Sequence, residues 1–131
     1  MRKSCYSWVR AYYKRGVIHY LLGDCDRAIM DLTQAIELNL NFLAAYYNRS
    51  NARYDLGDEE GATEDYNLAL KLEPADIDAG DEHGFYGRGL ARSRLGKIEE
   101  ARADLEEAAR LCSDRKNTVF YEKIMAAIDK L

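Results

Sequence analysis

The sequence predicts an all-α fold of three stacked helix-turn-helix repeats closed by a C-terminal helix, and three observations lead to it. The run Leu-Gly-Asp-Cys-Asp-Arg-Ala at Leu22 to Ala28 returns 34 residues on as Leu-Gly-Asp-Glu-Glu-Gly-Ala at Leu56 to Ala62, and again as Leu-Gly-Lys-Ile-Glu-Glu-Ala at Leu95 to Ala101. Ten tyrosines, a single proline and no alternating Val, Ile or Thr stretch between turn residues argue against strands. Alanines and larger apolar residues recur at intervals of four and three, the period of one helical face. A helical hairpin of this length cannot bury its apolar face alone, so neighbours must stack to complete a core. Function is then expected on a surface rather than in a pocket.

Repeat 1 spans about residues 9–42 and repeat 2 about 43–76. In each, an aromatic residue opens the first helix (Tyr12, Tyr46) and a small residue follows four places on (Gly16, Ser50). Gly23 and Gly57 suit the left-handed position that ends a helix. Asp24 and Asp58, next in the chain, can cap the second helix by accepting its free amide protons. Within the second helices, Ala28, Leu32 and Ala35, then Ala62, Tyr66 and Ala69, lie on one face. Alanine at two of these three places lets helix axes approach closely while the larger residue fills the gap.

Repeat 3, about residues 82–115, arrives late: Gly57 and Gly96 are 39 residues apart, so an insertion of about 75–84 precedes it. Asp76, Asp78 and Gly80 resemble the start of a calcium loop, but Asp81 and Gly87 stand where such a loop needs a glycine and a bidentate glutamate. The insertion therefore reads as a solvated acidic connection or an early helix start. Phe85, Gly89 and Gly96, then Ala101, Leu105 and Ala108, repeat the earlier pattern, but Lys97 cannot act as a side-chain cap. Gly84, Gly87 and Gly89 predict a loose beginning to this repeat, since each interior glycine costs about 0.5–1 kcal/mol relative to alanine. Residues 117–131 complete the chain as an amphipathic capping helix, with Asn117 as cap and Phe120, Ile124, Ala127, Ile128 and Leu131 facing inward.

Composition fits one domain over residues 1–131, with 47% hydrophobic residues to build its core. The net charge of -4 is uneven: residues 1–8 carry +2, 9–42 sum to zero, 43–76 carry -5 and 77–131 carry -1. Without a basic stripe the chain is not expected to bind nucleic acid, which requires neutralising several phosphates together. Cys5, Cys25 and Cys112 form no Cys-x-x-Cys pair and are expected as reduced thiols. No apolar run reaches signal-peptide or membrane-span length, so no membrane contact and a cytoplasmic location are expected.

These positions together resemble the tetratricopeptide repeat family, whose aromatic-x-x-Leu-Gly-x-x-Tyr, Ala-x-x-x-Phe, Ala and Pro pattern runs through residues 9 to about 115. Pro74 supplies the terminal proline of repeat 2; Leu40 and Ser113 replace it in the others. The resemblance implies seven helices in a right-handed superhelix. One departure is systematic: Arg15, Arg49 and Arg88 replace the usual leucine, and Asp31, Asp65 and Asp104 each follow 16 residues later. That spacing predicts an ion pair between a first and a second helix, inside the repeat or across to its neighbour.

The family binds peptides in a concave groove lined by first helices. Carried over, the groove residues are Arg10, Tyr13, Lys14, Val17 and Tyr20 in repeat 1, Tyr47, Asn48, Asn51 and Tyr54 in repeat 2, and Tyr86, Leu90 and Arg94 in repeat 3. Tyr13, Tyr47 and Tyr86 occupy one place of the repeat, which in the family serves either as packing between first helices or as ligand contact. Asn48 and Asn51 suit a peptide backbone, and Arg10, Lys14 and Arg94 suit acidic groups.

The resemblance thus implies a protein-interaction module for another protein or peptide. A branch of the family grips the C-terminal carboxylates of 70 and 90 kDa chaperones through five polar residues. The corresponding residues here are Tyr13, Val17, Asn48, His83 and Gly87, of which only Asn48 matches, so chaperone tails are not expected partners. No catalytic constellation, cofactor or metal is expected: His19 and His83 are isolated, and Gly-Phe-Tyr-Gly-Arg-Gly at 84–89 follows no strand and precedes no Lys-Ser/Thr. The alternative function is structural, a homodimer formed through the N-terminal edge at Tyr6, Trp8 and Val9.

Overall fold

In a computed structural model the chain is described over residues 2–72, 75–115 and 117–131, with the side chains of residues 2–6 and 114 outside that description. Cys5, Tyr6 and Pro74 therefore fall outside the described side chains. Seven helices and no strand occur among the described residues: α1 (Arg2–Leu21), α2 (Cys25–Leu38), α3 (Leu43–Asp55), α4 (Glu59–Lys71), α5 (Glu82–Arg94), α6 (Ile98–Asp114) and α7 (Thr118–Asp129). They fall into two compact units, Met1–Asp76 and Ile77–Leu131. In the first, α1 packs on α2, α2 on α3 and α3 on α4; in the second, α5 packs on α6 and α6 on α7.

Each hairpin turns through a glycine in the left-handed region: Gly23 at φ 87°, Gly57 at 86° and Gly96 at 80°. In the first, the Gly23 amide donates to the Tyr20 carbonyl at 3.0 Å and the Asp24 amide to that of His19 at 2.8 Å, closing the end of α1. Asp24 then begins the next helix, its carboxylate accepting from the Arg27 amide at 3.1 Å, and Asp58 does the same for the Gly61 amide at 2.8 Å. A three-residue connection thus satisfies both helix ends, which forces the helices antiparallel. Lys97 makes no side-chain cap, as its chemistry requires.

The hairpins close where small meets large. A Cβ on Gly16 would lie 2.9 Å from Cγ of Leu32, and one on Gly89 2.8 Å from Cγ of Leu105, so only glycine permits these crossings. Leu32, Leu105 and the flanking Ala28, Ala35, Ala101 and Ala108 are wholly buried. Repeat 2 has Ser50 and Tyr66 at the corresponding places, and the Ser50 hydroxyl donates to the Tyr47 carbonyl at 2.6 Å.

Residues 75–81 are non-helical, and Ile77 anchors them in the interior of the second unit. Asp81 caps α5 by accepting from the Gly84 amide at 2.9 Å. The glycine-rich start of α5 is thus capped, and a Cβ on Gly84 would collide with Ile77 and Asp81. Glu82 is buried against Arg115, whose guanidinium donates to its carboxylate. Asn117 caps α7, and Phe120 and Ile124 are buried from that helix while Glu122, Lys123, Asp129 and Lys130 face water. The Phe120 ring stacks on His83 at 4.7 Å and meets Tyr86 edge-on at 5.2 Å.

Candidate functional site

The arginine–aspartate spacing resolves into one arrangement built three times, each closed within its own hairpin. Arg15 donates through Nε and Nη2 to the two oxygens of Asp31 at 2.7 and 2.8 Å. Arg88 grips Asp104 in the same two-pronged way at 2.9 Å through each nitrogen. Arg49 reaches Asp65 at 2.7 Å and also donates to Thr33 Oγ1 of α2 at 3.2 Å, so in repeat 2 the pair is additionally tied to the preceding hairpin. Each guanidinium sits over the aromatic residue one turn back: Arg15 over Tyr12, Arg49 over Tyr46 and Arg88 over Phe85, at 5.6 to 5.8 Å.

A second arginine completes two of the three carboxylates and was not anticipated. Arg53 donates to Asp65 at 3.0 Å and Arg92 to Asp104 at 2.8 Å, whereas repeat 1 has His19 there, 3.7 Å from Asp31. The signal was present as the spacing of 12 residues before Asp65 and Asp104, but the histidine in repeat 1 broke the column. Burial differs sharply between copies: the Arg49 and Arg88 side chains are 11% and 13% exposed, and that of Arg15 is 62% exposed.

The residues expected to line a groove divide by depth. On α1, Tyr13, Val17 and Tyr20 are buried, whereas Arg10 and Lys14 are exposed one turn apart. Tyr13 packs against Phe42, the residue that leads into α3, at 4.6 Å between ring centres, which makes it part of the contact between α1 and the start of α3. On α3, Tyr47, Asn48 and Asn51 are buried and Tyr54 is exposed. The Asn48 side-chain amide donates to the Ala44 carbonyl at 2.9 Å, so the one residue that matches the chaperone-tail pattern is turned onto its own helix. In the second unit Tyr86 is buried beneath Phe120, and Leu90 and Arg94 are half-buried. Of the residues expected to line a groove in the first unit, Arg10, Lys14 and Tyr54 are therefore the ones at the surface.

The edge residues are also unequal, since Trp8 is exposed while Val9 is buried. Val9 thus drops out of the expected apolar edge, because its place on α1 turns inward beside Tyr13. Asp81, Glu82 and His83 bring possible ligand atoms within 4.8 Å of one another, but Asp81 is capping α5 and Glu82 is held by Arg115. A guanidinium beside the cluster opposes a cation there. Burial works against the charged form of Glu82, yet the hydrogen bond from Arg115 and its own amide keep its carboxyl below the usual range. Among the described residues no helix is long and apolar enough to cross a membrane.

No curated protein matches the chain. Among solved structures it resembles the first such repeat domain of Spaghetti (RPAP3) bound to the HSP90 peptide SRMEEVD, at 26% identity over 94% of this chain and 97% of that one, with a TM-score of 0.53. The second such domain of Spaghetti, bound to the same peptide, is 27% identical over 83% and 98% of the two chains at a TM-score of 0.50. The corresponding domain of Arabidopsis OM64 is 25% identical over 93% and 98%, at 0.51. The family profile described as tetratricopeptide repeat matches residues 9–42, 43–76 and 83–115. Three profile matches over most of the chain, on hairpins that turn at Gly23, Gly57 and Gly96, place this protein in the tetratricopeptide repeat family.

Proposed function

We propose that the chain is a protein-interaction module that holds a peptide segment of a partner protein against its first helices, without catalysis. The observation that carries the reading is its likeness, over 94% of the chain, to a repeat domain whose structure holds a peptide. On this chain the exposed residues of α1 and α3 supply the contacts: Arg10 and Lys14 attract acidic side chains, and the Tyr54 ring offers apolar area with a hydroxyl at its tip. In the second unit, taken by itself, Leu90 and Arg94 form a separate, smaller patch on α5. Tyr13, Val17, Tyr20, Tyr47, Asn48 and Asn51 lie buried in the first unit and Tyr86 in the second. A chaperone tail held in the manner of the five-residue clamp is not the expected partner, because Tyr13, Val17, His83 and Gly87 lack that chemistry and Asn48 is engaged with Ala44.

A displayed library of random peptides panned on the full chain tests this reading. Selected peptides should be rich in Asp and Glu, and should bind the variant Arg10→Glu, Lys14→Glu, Tyr54→Ala at least about tenfold more weakly in anisotropy titrations. SRMEEVD itself should bind no tighter than ~100 µM. Ligands that bound the triple variant as tightly as the original chain would remove the first helices as the site.

A further inference from the structure

The charge network of repeat 1 is open where those of repeats 2 and 3 are closed. Two arginines hold Asp65 and two hold Asp104, with the side chains of Arg49 and Arg88 largely buried. Around Asp31 the second arginine is replaced by His19, and the first hairpin there forms an open cavity of about 340 Å³ lined by Arg15, His19, Arg27, Met30 and Asp31. Arg27 and Met30, which come from α2, are peculiar to this repeat; repeat 2 has Gly61 and Glu64 there, and repeat 3 has Glu100 and Ala103. The other two repeats thus each carry a carboxylate where repeat 1 carries a guanidinium and a thioether.

Donors outnumber acceptors around this cavity. Asp31, its only carboxylate, is taken up by Nε and Nη2 of Arg15. Among the described residues that leaves Nη1 of Arg15 without a hydrogen bond, on a side chain that is 62% exposed. The Arg27 side chain, 71% exposed, meets only Asp24 among the described residues, at 3.6 Å and so beyond hydrogen-bond length. The Asp24 carboxylate is itself engaged in capping α2. His19 Nε2 lies 3.7 Å from Asp31, again too far for a hydrogen bond. With neutral histidine the lining carries a charge of +1, from Arg15 and Arg27 against Asp31.

We propose that this cavity binds a phosphate monoester. One guanidinium fork satisfies a carboxylate, whereas the donors here belong to three side chains on two helices, which suits a dianion with three terminal oxygens. The volume is that of a small-ligand site and leaves room beside the oxyanion for the carbon group that carries it, with the Met30 thioether as an apolar wall. The site does not rest on the peptide surface proposed above. Arg15 and His19 lie four residues apart on one face of α1, and Arg10 and Lys14 lie four apart on another.

Titrating phenyl phosphate into the isotope-labelled full chain at low ionic strength should shift the Nε–H resonances of Arg15 and Arg27 saturably, with a Kd of about 1 mM or below. Phenylacetate, a singly charged carboxylate on a similar ring, should bind about tenfold more weakly. Arg27→Glu should weaken phenyl phosphate binding at least about tenfold with unchanged circular dichroism, because the side chain is in water and the α2 cap uses the backbone amide of that residue. The double variant Arg10→Glu, Lys14→Glu alters the net charge more, yet should change binding by less than about threefold. A phosphotyrosine peptide with neutral flanks separates the two sources of such a group. Binding at least about tenfold tighter than phenyl phosphate assigns the monoester to a partner protein, and any smaller difference assigns it to a free small molecule. No saturable shift up to about 10 mM, equal binding of phenylacetate, unchanged affinity in Arg27→Glu, or an equal loss in the Arg10→Glu, Lys14→Glu variant would each overturn the proposal.

Discussion

Asp65 illustrates how one motif acquires different energetic weight in different copies. Its side chain is wholly buried, and it is neutralised by Arg49 and Arg53, whereas Asp31 shares its charge with an Arg15 that is mostly in water. Removing one partner of a buried pair leaves a desolvated charge, at a cost of about 3–5 kcal/mol, while exposed pairs are worth about 0–1 kcal/mol. Denaturant unfolding of Arg49→Leu, Asp65→Leu and the double variant should therefore give a coupling energy of about 1–3 kcal/mol. The same cycle on Arg15 and Asp31 should give less than about 1 kcal/mol. Additive losses at Arg49 and Asp65 would mean that the geometry carries no energetic coupling. The first arginine of each repeat was legible in the sequence because three identical residues stood 16 before three identical aspartates. Depth was not legible: the same letters describe Arg15 and Arg49, and only the helix lying over one of them distinguishes the two.

At the scale of the element, the connection between paired helices rests on two adjacent residues, a glycine that ends one helix and an aspartate that starts the next. Repeat 3 has Lys97 where the others have that aspartate, so α6 begins with its first amides unassisted by a side chain. Lys97→Asp should stabilise the fold by about 0.5–2 kcal/mol, through the cap and the favourable placement of a negative charge at a helix start. A thermal midpoint that did not rise would show that the first turn of α6 is already satisfied. The caps, the turns and the existence of α7 were open to reading from Gly, Asp and Asn at fixed offsets. The contacts of α7 were not, because the stacking of Phe120 on His83 joins residues far apart in sequence. Nor was it legible that Asp81 caps the glycine-rich start of α5, or that close approach to Ile77 and Leu105 gives Gly84 and Gly89 a packing role.

For the molecule as a whole, Cys112 offers a reporter for the integrity of the unit Ile77–Leu131. It is fully buried, and burial, reinforced by the charge of Glu82 against the opposing Arg115, pushes its thiol up to about 11. Folding raises this group above the ordinary 9.0, so the protonated thiol is favoured in the native state. Its contribution to stability is fully present below 9 and is lost as pH rises through about 11. Iodoacetamide at pH 8 should label Cys112 only when that unit opens, and Cys112→Ala should flatten the alkaline limb of the unfolding curve; prompt labelling of the folded chain would contradict this. The residues expected to line a groove mix surface with interior, since periodicity names a face and does not say what lies above it. Tyr13 and Arg10 are three residues apart, and one is buried while the other is in water. The closed ion pairs bear also on how such a chain could grow. Each hairpin contains both members of its charge pair, so a tandem duplication in the coding DNA copies a donor together with its acceptor, and the number of repeats can change without orphaning a charge.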